Sequence, residues 1–207
     1  MPAKTVKKPI YKKWWFWVIA LIVIAAIGKP SKNFDNTTSS NVNSTQAIAS
    51  ERMPPEIEIL FLSIVTNAQS KANSASNDMQ KSAIKSERDK SLCALLSNFQ
   101  MSDWIGKVAE IDANSDGKGI ISIEIAEDVY VKTWNNALSD FSYGTLIDQG
   151  SNLFNSASNL KRGAMVKFSG HFFRGSGGDC VEESSLTLNG KIKEPEFIFS
   201  FSDISPL

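Results

Sequence analysis

The chain has a single histidine, His171, among 207 residues. That scarcity excludes metal centres built from several imidazoles and makes any Ser-His-Asp arrangement depend on one ring. Cysteine is almost as scarce. Cys93 and Cys180 are the only two, and neither lies near the first apolar run, so no lipoprotein-type cysteine is present. No nucleophile elbow occurs. The glycine-rich stretch Arg174-Gly175-Ser176-Gly177-Gly178-Asp179 lacks the Lys-Ser/Thr ending of a phosphate loop and opens no helix, so it reads as a flexible loop. Glu182 and Glu183 are neighbours on an extended segment. They point apart and make a poor acid/base pair. The sequence therefore supplies no catalytic residue and calls for no cofactor, and the expectation is a protein that is not an enzyme.

Charge of either sign is also missing in the sum, since Lys plus Arg equals Asp plus Glu. The distribution is uneven. The first 50 residues hold seven Lys and one Asp, net +6, and the remainder carries net −6. A nucleic-acid groove is basic along one face, so an acidic C-terminal region argues against nucleic acid as a partner. Tyr130, Trp134, Phe172 and Phe173 have the rings to stack bases, but core packing accounts for them more simply.

What is present begins with Lys12-Lys13-Trp14-Trp15-Phe16-Trp17 and the apolar run that follows it. No charge interrupts Trp14 to Gly28. This is shorter than the roughly 20 residues that span a bilayer comfortably, but Trp rings and Lys stems in the interface extend its reach. Five Lys precede the run (residues 4, 7, 8, 12 and 13) and Lys29 and Lys32 follow it. That bias places the N-terminus in the cytoplasm and the rest outside. The rival is a cleaved signal peptide with Ala26-Ile27-Gly28 as its small-residue site. Both readings export the remainder, and the basic flank suits anionic lipid. Residues 29–50 are rich in Asn, Ser and Thr and read as a flexible tether.

From Pro54-Pro55 the pattern is helical. Ile57, Phe61, Ile64, Ala68, Ala75 and Met79 recur at helical spacings, and Leu92, Leu95, Leu96 and Phe99 repeat them. One long helix is expected, or two with a break near Asn73-Ser74. After Trp104 the period becomes two. Strands are predicted over Trp104–Ile111, Ile121–Ile125, Val129–Trp134, Met165–Phe173 and Glu196–Ile204, the last with Phe197, Phe199 and Phe201 on one face. Leu186–Ile192 contains Asn189-Gly190 and is predicted as a further strand with a hairpin turn. Ser151–Leu160 is a short helix, stopped at Lys161-Arg162-Gly163. Five or six short strands with a helix between the third and fourth predict an α+β chain. It consists of an N-terminal transmembrane helix, a long amphipathic helix and a small antiparallel OB-like β-barrel. Gly106 and Gly170 lie inside strands, where barrels need bends or close backbone approach. The domain reading is 1–13 basic cytoplasmic segment, 14–28 anchor, 29–50 linker, 51–101 helical segment and 102–207 barrel.

Trp104-Ile105-Gly106-Lys107-Val108 and Leu160-Lys161-Arg162-Gly163-Ala164-Met165-Val166-Lys167-Phe168-Ser169-Gly170 together carry a resemblance. They resemble the tRNA-anticodon-like OB-fold family of bacterial membrane-anchored envelope proteins of unknown function. The resemblance covers about Trp104 to Ile204, half of the chain. It implies a fold and not a ligand. Asn135 through Gly150 is longer than a minimal OB connection.

Two constellations remain. Cys93 and Cys180 can pair in an exported domain, pinning the helical segment to the barrel. The alternative is two unpaired thiols, with Cys93 on the apolar stripe beside Leu92 and Leu96. Asp112-Ala113-Asn114-Ser115-Asp116-Gly117-Lys118-Gly119 copies the first half of a calcium loop, with Asp112, Asn114 and Asp116 as candidate ligands. Its second half departs from the pattern, with Ile123 at the twelfth position, and an Asp/Asn/Gly turn between strands accounts for the same residues. The function expected is a single-pass, membrane-anchored binding or scaffolding module outside the cytoplasm. Its partners would be the bilayer and an envelope protein or peptide. A calcium-dependent envelope protein is the alternative.

Overall fold

The computed structural model describes residues 53–207. The anchor, its basic flank and the linker lie outside them. Among the described residues no helix is long and apolar enough to cross a membrane. The order is α1 (Glu56–Asn73), α2 (Asp78–Leu95), β1 (Gln100–Ala113), β2 (Gly119–Ala126), β3 (Val129–Lys132), α3 (Ala137–Asp140), α4 (Asn152–Ser158), β4 (Met165–Phe172), α5 (Leu188–Lys193) and β5 (Glu196–Pro206).

The helical region is two helices rather than one. Asn77 accepts a hydrogen bond from Gln80 N, and the Gln80 side chain accepts one from Ser76 N. This reciprocal cap satisfies amide groups that a new helix start leaves open. It breaks the chain a few residues after Asn73-Ser74. The buried stripe of α1 is Glu58, Phe61, Val65, Ala68 and Ala72. Phe61 and Ala68 were expected there, but Met79 is exposed. On α2 the buried face is Lys85, Arg88, Asp89 and Leu92. Hydropathy cannot display such a face.

The five strands close into a barrel in the order β1-β2-β3-β5-β4. All pairings are antiparallel except β3 with β5. Alternation explains the lining. Phe197, Phe199 and Phe201 are buried on one face of β5, and Val166, Phe168 and Phe172 are buried on β4. Phe61 of α1 joins this core. Its ring lies 5.2 Å from Trp104, 5.3 Å from Phe172 and 5.1 Å from Phe197. The Trp104 and Phe197 contacts are edge-on and the Phe172 contact is stacked. Aromatic pairs of both kinds add stability beyond the area they bury, so α1 is part of the core and not a separate helical unit. α4 packs against β5, and Ser151 caps it by accepting from Phe154 N. Gly163, at φ +86°, turns the chain into β4.

Leu186–Ile192 is not a strand. Thr187 caps α5 by accepting a hydrogen bond from Gly190 N, α5 packs against α1 and α2, and its Ile192 is buried. Asn189-Gly190 therefore lies within a helix. A threonine cap and one well-placed apolar residue outweigh the local turn preference of the dipeptide.

The two strand glycines mark close approaches. A Cβ on Gly106 would meet the Ile123 side chain and, at 2.9 Å, the Glu124 carbonyl oxygen. A Cβ on Gly170, next to the β4–β5 irregularity at Ser169/Gly170, would meet the Ser200 carbonyl oxygen and the Phe199 ring at 2.6 Å. Gly170→Ala forces backbone apart, and the expected loss is about 2 to 3 kcal/mol. That corresponds to a fall in Tm of roughly 5 to 10 °C by thermal unfolding.

Candidate functional site

The Asp112–Gly119 segment is the β1–β2 turn. Asn114 Oδ1 accepts from Asp116 N at 3.0 Å and from Lys118 N at 2.9 Å, and Asp112 Oδ1 accepts from Ala113 N at 2.8 Å. Gly117 takes φ +76°, which the turn requires. Two of the three candidate ligands thus direct side-chain oxygens to the turn's own amides. Among the described residues no group of three or more His, Cys, Asp and Glu side chains is placed to hold a metal ion. Addition of millimolar calcium is expected to leave the melting temperature unchanged. A clear rise would favour the calcium reading over the turn.

Cys93 and Cys180 are joined in a disulfide, their Cα atoms 5.4 Å apart and 87 residues separated in sequence. The bond ties the last turns of α2 to the segment between β4 and α5. Beside it lies a charged cluster that the sequence pattern did not reveal. Lys85 donates to Asp89 at 2.6 Å and also bonds Asp179. Arg88 donates to Asp89 at 2.8 Å, to Glu183 at 2.5 Å and to the Lys191 carbonyl oxygen at 2.5 Å. Lys191 closes the ring by donating to Asp179 at 2.5 Å. The Arg88 guanidinium also stands 5.6 Å from the Phe197 ring centroid. The stretch read as a flexible glycine-rich loop is therefore pinned at Asp179. Its other end is held by Arg174, whose guanidinium lies 4.8 Å from the Phe99 ring centroid.

Burial opposes the charged forms of Lys85, Arg88, Asp179 and Glu183, and their partners counter it to different degrees. Burial opposes the Lys85 ammonium, but Asp179 and Asp89 more than compensate, so its pKa is raised. Burial raises the Asp179 carboxyl, while Lys191 and Lys85 bring it below the usual carboxylate range. Burial prevails at Glu183, pushing the carboxyl up to about 7 against the pull of Arg88. Its Oε2 is buried without a hydrogen-bond partner among the described residues.

Glu58 is a second buried carboxyl. Its Oε2 accepts from Ile105 N at 3.0 Å and fastens α1 to β1. Burial raises its pKa from 4.5 to about 8, and the Ile105 amide only partly counters that. The folded state thus holds a proton that the unfolded chain releases above pH 4.5. This contribution to stability is complete below that pH and is lost as pH climbs through about 8. Glu58→Gln keeps the acceptor for Ile105 N and removes the titration. The variant is expected to gain stability relative to the parent steadily between about pH 5 and pH 8 in parallel urea melts. A pH-independent difference would contradict the assignment.

The aromatic residues divide between inside and outside. Phe172 is buried, as core packing requires, and Trp134 and Phe173 are half-buried on the outer side of the barrel. Tyr143 sits between them, 5.7 Å from Trp134 and 5.1 Å from Phe173, and His171 lies 4.8 Å from Phe173. His171 is thus one end of an outer aromatic row, at the register position facing Ser200 and Gln100. Tyr143 is the member of the row that the sequence reading missed, because it lies in a connection and not in a strand. Comparison with protein-family models, with curated proteins and with solved structures finds no match.

Proposed function

We propose that this chain is a single-pass, membrane-anchored protein whose C-terminal region is an OB-like binding or scaffolding module held outside the cytoplasm, with no catalytic role. The Cys93–Cys180 bond carries the reading, because such bonds persist in oxidising compartments. The basic-flanked apolar run Trp14–Gly28 is consistent with the same placement. The strand order β1-β2-β3-β5-β4, with α4 between β3 and β4, supports the OB-like assignment. The outer aromatic row gives the module a surface suited to recognition. Its partners on this reading are the bilayer that anchors it and an envelope protein or peptide.

Protease treatment of intact cells and of spheroplasts tests the placement. The expected result is digestion of the region after residue 50 only when the outer face of the membrane is exposed. Protection in spheroplasts, with cleavage only after lysis, would invert the topology and overturn the proposal.

A further inference from the structure

We propose that the connection Thr133–Ile147 rests in the head-group region of the bilayer, with Leu138 and Phe141 as the inserted pair. The proposal rests on the anchored reading above. Leu138 is 89% exposed and Phe141 is 90% exposed. They stand three residues apart on the single turn α3 and its cap, so they project from one side of it. Between Lys132 and Asp148 the only charged residue is Asp140, and it is turned inward. Its Oδ1 accepts from Thr145 N at 2.6 Å and from Thr145 Oγ1 at 2.7 Å, and its Oδ2 accepts from Leu146 N at 3.1 Å. Thr145 Oγ1 in turn accepts from Trp134 N at 2.8 Å. The buried carboxylate therefore shapes the loop and leaves its outer surface neutral.

The same connection carries Trp134 and Tyr143, half-buried and 5.7 Å apart. An aliphatic and phenyl tip in one loop with Trp and Tyr matches the preferences of these side chains at a lipid interface. A bilayer accounts for the patch better than a protein surface does. Two projecting side chains are far from the roughly 800 Å² per partner of a stable protein interface, whereas a bilayer demands no matching shape. The region after residue 50 is net negative, so a neutral tip is the part of it that loses least charge hydration on entering a lipid interface. Only residues 29–52 separate the apolar run from the first described residue. A chain held that close makes insertion an intramolecular event, for which a weak two-residue contact suffices.

The test uses the full chain in phosphatidylcholine vesicles. Cys93 and Cys180 are bonded to each other, so an introduced cysteine is the single site for an environment-sensitive fluorophore. Leu138→Cys is compared with Leu186→Cys, a position 96% exposed in the segment between β4 and α5. With nitroxide-bearing lipids, quenching at position 138 is expected to exceed that at position 186 by about twofold or more. Adding Phe141→Asp should abolish the excess. Equal quenching at the two positions overturns the proposal. So does a blue-shifted label at 138 that lipid nitroxides do not reach and that responds to protein density, which would mean contact between protein molecules. Flotation with the vesicles reports the anchor separately. A chain that floats with an aqueous label at 138 loses only the loop proposal. A chain that fails to float loses the anchored reading and the loop proposal together.

Discussion

Reduction of the Cys93–Cys180 bond is expected to cost about 4.5 kcal/mol of folding stability. The bond closes a loop of 87 residues, and the entropy it removes from the unfolded chain grows with the logarithm of that length. The loss should appear as a fall in Tm of roughly 10 to 15 °C for a domain of this size, in dithiothreitol or in the Cys93→Ala/Cys180→Ala variant. The folded geometry sharpens the expectation. The bond, the Lys85–Asp179 and Lys191–Asp179 pairs and the Arg88–Glu183 pair all hold the β4–α5 segment in place. Without the bond, that segment should also become the first site of proteolysis, between Arg174 and Glu183. An unchanged melting curve under reducing conditions would show that the bond does not constrain the native fold.

Arg88→Met is the second large effect. Among the described residues Arg88 is the sole cation bonded to Glu183 and one of two bonded to Asp89, and its side chain is 1% exposed. Removing it leaves Glu183 buried without a counter-charge and Asp89 with Lys85 alone, which costs about 3 to 5 kcal/mol where Glu183 is ionised in the parent. Methionine preserves most of the volume, so the loss is electrostatic and not a cavity effect. Two further results follow from that cause. The deficit should grow as pH rises from about 6 through about 8, because the Glu183 carboxyl, held near 7 beside Arg88, ionises there in the parent but stays buried with a proton in the variant. Adding Glu183→Gln to Arg88→Met should recover part of the loss. A deficit that is constant with pH and not relieved by the second substitution would point to packing.

The elements that were legible in sequence are those whose burial follows side-chain polarity. Ile121, Ile123 and Ile125 of β2 and Phe197, Phe199 and Phe201 of β5 alternate inward as the pattern of two requires. α4 starts after Ser151 within the stretch read as a short helix, but it ends at Ser158 with Asn159 as its cap, short of the expected stop at Lys161-Arg162-Gly163. The elements that were not legible break that link. Glu58, Lys85, Arg88 and Asp89 are buried on regular helical spacings, but a polarity scale assigns such residues to solvent. The spacing of 85, 88, 89 and 92 was the available signal. It acquires meaning only once oppositely charged Asp179 and Glu183 are seen to arrive from a segment about 90 residues later. α5 was misread because Asn-Gly is a strong local turn signal, and Thr187, three residues before Gly190, supplied the competing cap. Leu138 and Phe141 carried no strand or helix pattern of their own. Their interest comes from the exposure that the inward turn of Asp140 imposes on them.

A disulfide-clasped domain held outside the cytoplasm, as proposed, keeps both thiols bonded in living cells, and thiol trapping reads that state. Cells are quenched in acid, and the unfolded chain is treated with a maleimide-polyethylene glycol before and after reduction. The account requires no added mass before reduction and two additions after it. Two additions without reduction would mean that Cys93 and Cys180 are free thiols where the protein resides, and the account would be wrong in both the clasp and the compartment.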